Sequence, residues 1–269
     1  MTGAPLSGRA PALPPAPPPA AASGHRSVIL TIAALTARNL LGRRRSLLLA
    51  LLPVAIALLV RLSGRAGIDE DAVATAVMDR LIVTTLLPIV GLVFGTAVLG
   101  AELEDGTAIF LLVKPIARWR IVAAKLIVAV GLSILFVVPA AFTAGAILEV
   151  GRPGWSGAIG AAVGTAVGAS VYATVFFALS LVTGRALAFG LIYVLVWEGV
   201  LAGLLAGIRA LSIRQYTLGI TGAITHPGVT NPDLLDLPTA LILSGAAIAI
   251  AAAIAVRRLT SLQIGQADD

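Results

Sequence analysis

Apolar runs of about the length of a membrane-crossing helix alternate with short polar segments along this 269-residue chain. A hydrocarbon layer of about 30 Å needs roughly 20 apolar residues of helix, and six stretches predict such helices. They are Ser46 to Ser63, Leu81 to Leu103, Arg120 to Leu148, Gly157 to Val182, Ala186 to Gly207 and Pro238 to Val256. The first is short, contains Pro53 and carries Arg61, which can snorkel towards the headgroups. The third is long enough to tilt or protrude. Only Thr183, Gly184 and Arg185 part the fourth from the fifth, so those two must form a tight hairpin. The fold class predicted is all-α, a polytopic bundle of six transmembrane helices.

Upstream of the spans the pattern changes. Residues 27–41 are apolar but interrupted by Thr31, Thr36, Arg38 and Asn39, and Arg43, Arg44 and Arg45 follow. This predicts an amphipathic helix lying in the interface with its basic end at the headgroups; the alternative is the first part of a long first span. Residues 4–22 are nearly all Pro and Ala, which removes amide donors and blocks helix. Residues 1–26 are therefore expected to be a disordered cytoplasmic tail, a spacer or a ligand for a proline-binding groove. They lack the charged start and apolar core of a secretory signal. The transmembrane domain is expected over 27–260, with a short tail at 261–269.

Composition agrees with the pattern. Charged residues make up 12% of the chain, about half of what a soluble domain carries, and the mean hydropathy is +1.01. A water-soluble enzyme and a disordered regulator are both excluded on these grounds. With no cysteine, thiolate metal sites and cysteine nucleophiles are excluded, and His25 and His226 stand too far apart in sequence to suggest a metal centre. The net charge of +6 does not indicate nucleic acid, because the basic residues flank apolar runs and lack interleaved aromatic platforms. With the N-terminus inside, 13 Lys and Arg fall on the cytoplasmic side and 6 on the other, the expected bias. The outer segments hold Asp69, Glu70, Asp71, Asp79, Glu149, Asp233 and Asp236. Six spans would put both termini in the cytoplasm of a bacterial-type plasma membrane.

Small residues recur every four positions within the spans: Gly91 and Gly95, Gly160, Gly164 and Gly168, then Gly199, Gly203 and Gly207. Such stripes let helix backbones approach closely in lipid. They can serve a dimer seam or packing inside one bundle.

The segment between the second and third spans is the most informative. It contains Glu102, Glu104, Asp105, Gly106 and Thr107, then the apolar Phe110, Leu111 and Leu112, then Lys114, Pro115 and Arg118, with Lys125 further on. Gly106 can end one helix, Thr107 can cap the next, and Pro115 can stop it. A helix of about two turns, roughly 10 Å long, would then lie in the cytosol with an apolar surface that calls for a partner. The alternative is a connector whose apolar residues dip back into the bilayer.

This segment resembles the permease subunit of type-2 ATP-binding-cassette exporters. Glu102, Glu104, Gly106, Thr107, Leu111, Leu112, Pro115, Arg118 and Lys125 match the family pattern, while Ala117 stands where serine is common. The six-span layout and the basic N-terminal helix are also similar, so the likeness covers roughly 27–260. The resemblance implies that residues 107–113 form the coupling helix, with Phe110, Leu111 and Leu112 in a cleft of a cytosolic ATPase subunit. It implies partner ATPase chains that hold ATP and Mg, a second permease copy and outward transport. The chain itself should bind no cofactor, since it has no phosphate-binding loop.

Glu198 is the only acid in the middle of a predicted span. A carboxylate there costs on the order of 3 kcal/mol on insertion scales, so it should face a cavity or the bundle interior. It is a candidate pathway residue that could line a substrate path, bind a cation or accept a proton; equally, it could hydrogen-bond a neighbour and serve structure alone. Leu211, Ser212 and Ile213 form an element that accompanies such an acid in similar permeases. Residues 208–236 predict the longest outer loop, holding either short pathway-capping helices or an interfacial loop. Three other classes compete with the permease: a secondary transporter driven through Glu198, a membrane-embedded enzyme and a non-transporting scaffold. The first should show an internal repeat and the second several polar residues at one depth; neither is visible.

Overall fold

The computed structural model describes residues 51–104, 118–149, 154–201, 210–228 and 233–261. The interfacial helix expected at 27–41, both tails and the loop core from Asp105 to Ala117 lie outside the described residues. The described residues are helical, with no strand. In order they form α1 (Leu52–Arg65), α2 (Glu70–Ala76), a π-helical segment π1 (Val77–Leu86), α3 (Leu87–Glu104), α4 (Arg118–Leu148) and α5 (Ser156–Val182). There follow α6 (Ala186–Ile192), a second π-helical segment π2 (Tyr193–Leu201), α7 (Ile213–Thr225) and α8 (Leu237–Ser261).

Among the described residues, four helices are long and apolar enough to cross a membrane: Asp71–Val98, Trp119–Leu148, Ser156–Val182 and Leu237–Thr260, with Ala186–Gly199 a shorter apolar helix. Three of these helices coincide closely with the third, fourth and last apolar stretches of the sequence. The second begins earlier than hydropathy indicates, because α2 and π1 run without a break into α3. Glu70, Asp71 and Asp79, expected in an outer loop, therefore sit on a helix. Pro88 stands just after π1. It has no N–H and its ring crowds the carbonyl one turn back, a defect that a widened turn relieves. The hydroxyls of Thr84 and Thr85 donate to carbonyls five residues back, those of Asp79 and Arg80, at 2.7 and 2.8 Å.

Helix α5 is the hub and is touched by α3, α4, α6, α7 and α8. Its small residues explain why. A Cβ on Gly91 or Gly95 of α3 would run into Tyr172, Ala173 and Phe176 of α5, and one on Gly145 of α4 would lie 2.8 Å from the Ala158 Cα. Tyr172, Phe176 and Phe177 are buried in the resulting core, and Phe94 stacks on Phe136 at 5.3 Å. Several buried hydroxyls return to their own helices: Thr96 donates to the Leu92 carbonyl, Ser133 to Ala129, Thr165 to Ala161 and Ser244 to Ala240, which satisfies these donors in an apolar medium.

The region expected as the longest outer loop holds α7, which packs against α5 along the second glycine stripe. Thr225 meets Gly160, Thr221 meets Gly164 and Thr217 meets Gly168. Threonines every four residues thus face glycines every four residues on an antiparallel helix. Of the two uses open to this stripe, the structure takes packing inside one bundle. Gly168 lies 12 residues into α5, so Thr217 is about 18 Å below the start of α5 and the N-terminus of α7, four residues further on, about 24 Å below it. The helix therefore begins deep in the bundle and rises towards the end at which α5 starts.

Candidate functional site

The deep end of α7 meets Glu198. Its side chain is 2% exposed. Oε2 accepts from Ser212 Oγ at 2.6 Å; Oε1 accepts from the Ile213 N–H at 2.9 Å and from Tyr193 Oη at 3.1 Å. Ile213 is the first residue of α7 and Ser212 its N-cap, so the carboxylate takes an orphan donor and faces the positive end of the helix dipole. Tyr193 and Glu198 are five residues apart. In an α-helix they would point about 140° apart; within π2 the wider turn brings them together. The Tyr172 hydroxyl is wholly buried beside Glu198. Tyr216 lies on α7 beside this cluster, and its hydroxyl donates to the Ala210 carbonyl at 2.7 Å.

The next residue of α7 makes a second link. Arg214 Nη2 lies 2.9 and 3.1 Å from the two Asp79 oxygens of π1. Each π-helical segment thus supplies one carboxylate to the base of α7. Sequence reasoning singled out Glu198 and noted Ser212 but missed Tyr193 as its partner and the Asp79–Arg214 pair. Helical periodicity does not place residues five apart together, and Asp79 and Arg214 both read as loop charges.

Other acids cap helices. Glu149 accepts from the Gly157 N–H at 2.6 Å, from Ser156 Oγ at 3.1 Å and from the Ala158 N–H at 3.3 Å. The Gly157 amide, with smaller help from Ala158 and Ser156, holds its carboxyl below the ordinary 4.5. Asp236 accepts from the Thr239 N–H before α8, and the Thr239 side chain and amide hold it low as well. Asp69 caps α2 through the Asp71 N–H.

The residues of the expected ATPase-coupling segment are reached only at their stems. Glu102 and Glu104 lie in the last turn of α3 and Arg118 opens α4. Gly106, Thr107, Phe110, Leu111, Leu112 and Pro115 lie outside the described residues. Lys125 is 1% exposed and donates from Nζ to the Val98 carbonyl at 2.9 Å, joining the two stems. Among the described residues no group of three or more His, Cys, Asp or Glu could hold a metal ion.

This architecture, apolar helices around a hub and a short helix entering the bundle, is that of a multi-pass membrane protein. Residues 44–208, more than half of the chain, match the family described as ABC-2 family transporter protein. The chain belongs to that family. It is a permease-type transport subunit, a class generally distinct from the ATPase itself. No curated protein matches the chain.

Proposed function

We propose that this chain is the permease subunit of an ATP-driven exporter, working with a second permease copy and with separate cytosolic ATPase subunits. The observation that carries the reading is the family match over 44–208, which includes the whole 105–117 loop. ATP and Mg would be held by the partner ATPase, and both termini would lie in the cytoplasm of a bacterial-type inner membrane, following the 13-to-6 distribution of basic residues.

Coupling would proceed through the stems. An ATPase cleft that closes on residues 107–113 displaces the loop, and coupling requires that the ATPase states bind it differently. Because Lys125 of α4 is bonded to Val98 of α3, the stems would move together. Helix α3 continues through π1 to Asp79, which holds Arg214 of α7, so the displacement would reach the base of the helix that closes the outer half of the bundle.

Leu112→Asp tests the reading. Burying one large apolar side chain is worth about 1.5–3 kcal/mol, and the substitution both loses that and sets a charge against an apolar wall. The expected result is normal insertion with loss of the copurifying ATPase, or with hydrolysis uncoupled from transport. Val229→Asp should leave both intact. Full association and transport in Leu112→Asp would overturn the coupling assignment.

A further inference from the structure

Helices α5, α6 and α8 leave an apolar groove of about 480 Å³ between them, with Leu179, Phe189, Tyr193, Ala247 and Ile250 among its walls. At one end it opens into a second hollow of about 540 Å³ lined by Val182, Ile254, Arg257 and Arg258. Val182 and Ile254 line both, so the two are continuous. Arg185 lies in the turn three residues beyond Val182, at the same end. The most apolar stretch of α8 is only 22% buried, against 56–61% for the other three long helices.

From Ala247 to Arg258 a helix rises about 16 Å, close to half of a hydrocarbon layer of about 30 Å. The walls are apolar for that depth and cationic at the end. Guanidinium groups stay charged and match phosphate oxygens. We infer that this groove is a binding site for one anionic phospholipid of the leaflet at the Arg257 and Arg258 end, its acyl chain along α8 and its phosphate against the arginines. A zwitterionic lipid offers the same chain and phosphate but brings a cation of its own to the arginine end. The bias of basic residues makes this the cytoplasmic leaflet, where anionic lipid is concentrated. The site depends on membrane embedding and not on ATPase coupling.

The full chain, with a bimane label on Ile250→Cys, would be reconstituted with acyl-brominated phosphatidylglycerol or phosphatidylcholine at equal mole fraction. The chain has no native cysteine, so the label is unique. The expected result is quenching at several-fold lower mole fraction by phosphatidylglycerol. That preference should disappear in Arg257→Gln/Arg258→Gln and persist in Arg257→Lys/Arg258→Lys. Equal quenching by both lipids would mean ordinary annular contact and would overturn the proposal. So would no quenching by either, which would mean that a second copy or another part of the chain fills the groove. If the glutamine variant does not fold, the parent comparison still decides, and Ala247→Phe, which narrows the groove, should reduce quenching by phosphatidylglycerol.

Discussion

At Glu198 one carboxylate meets three donors, and two of them belong to the first turn of another helix. Removing it leaves the Ser212 hydroxyl and the Ile213 amide buried without an acceptor, at about 1–3 kcal/mol each. Glu198→Ala should therefore lower the thermal midpoint of the solubilised protein clearly. Glu198→Gln, whose amide oxygen can still accept from Ile213, should lower it less and leave the pH profile of transport unchanged; an altered profile would give the carboxylate a titrating role. Glu149 makes the opposite kind of case. Its carboxyl is held low, so the stability it adds is present above the ordinary value of 4.5 and is lost as pH falls through the depressed one. Hydrogen exchange at Gly157 and Ala158 should rise over that acidic range, beyond the intrinsic trend, and Glu149→Gln should abolish the excess. That Glu198 needs partners inside the bundle was legible because an acid within an apolar run is costly. Its partners were not, since Ser212 and Ile213 come from a segment that reads as loop.

The pairing of α7 with α5 rests on missing side chains. A Cβ on Gly164 would collide with the Thr221 side chain and stand 2.7 Å from the Thr217 carbonyl. Gly164→Val should push α7 off the hub at about 1–3 kcal/mol, measured as a lower thermal midpoint. Gly131 has nothing within 4 Å of the corresponding point, so Gly131→Ala should be neutral or gain up to about 1 kcal/mol from helix propensity. The stripe itself was visible in the sequence; which helix would lie in it was not. A four-residue spacing states that something approaches closely and does not name the partner.

For the whole molecule, orientation is testable because any introduced cysteine is unique. Cysteines at Ala72 and His226, both exposed and on the side that the distribution of basic residues assigns to the outside, should react with an impermeant thiol reagent in intact cells. Cysteines at Gly184, in the α5–α6 turn, and at Thr260 should react only after permeabilisation. Labelling of Gly184→Cys from outside would invert the arrangement. A further variant tests the assembly: if residues 107–113 are the coupling segment, Thr107→Cys should react in the isolated permease and become protected when an ATPase subunit copurifies.

Hydropathy along the chain is a local property, and what it determines is local: where the long apolar helices lie, that three residues turn α5 back into α6, and that the chain is built for a bilayer. The charges at the helix ends were legible too, as a bias between the two sides. The tertiary structure decided how polar groups inside the bundle are satisfied. Asp79 reaches Arg214 across 135 positions of sequence, and Glu198 reaches the N-terminus of α7 across 15. A 13-residue helix too short to cross the membrane reads as a loop until its threonines are set against a glycine stripe on α5. Such choices depend on which surfaces meet when the helices pack, because in lipid a buried donor must find its acceptor within the protein, and distance along the chain does not say which acceptor that will be.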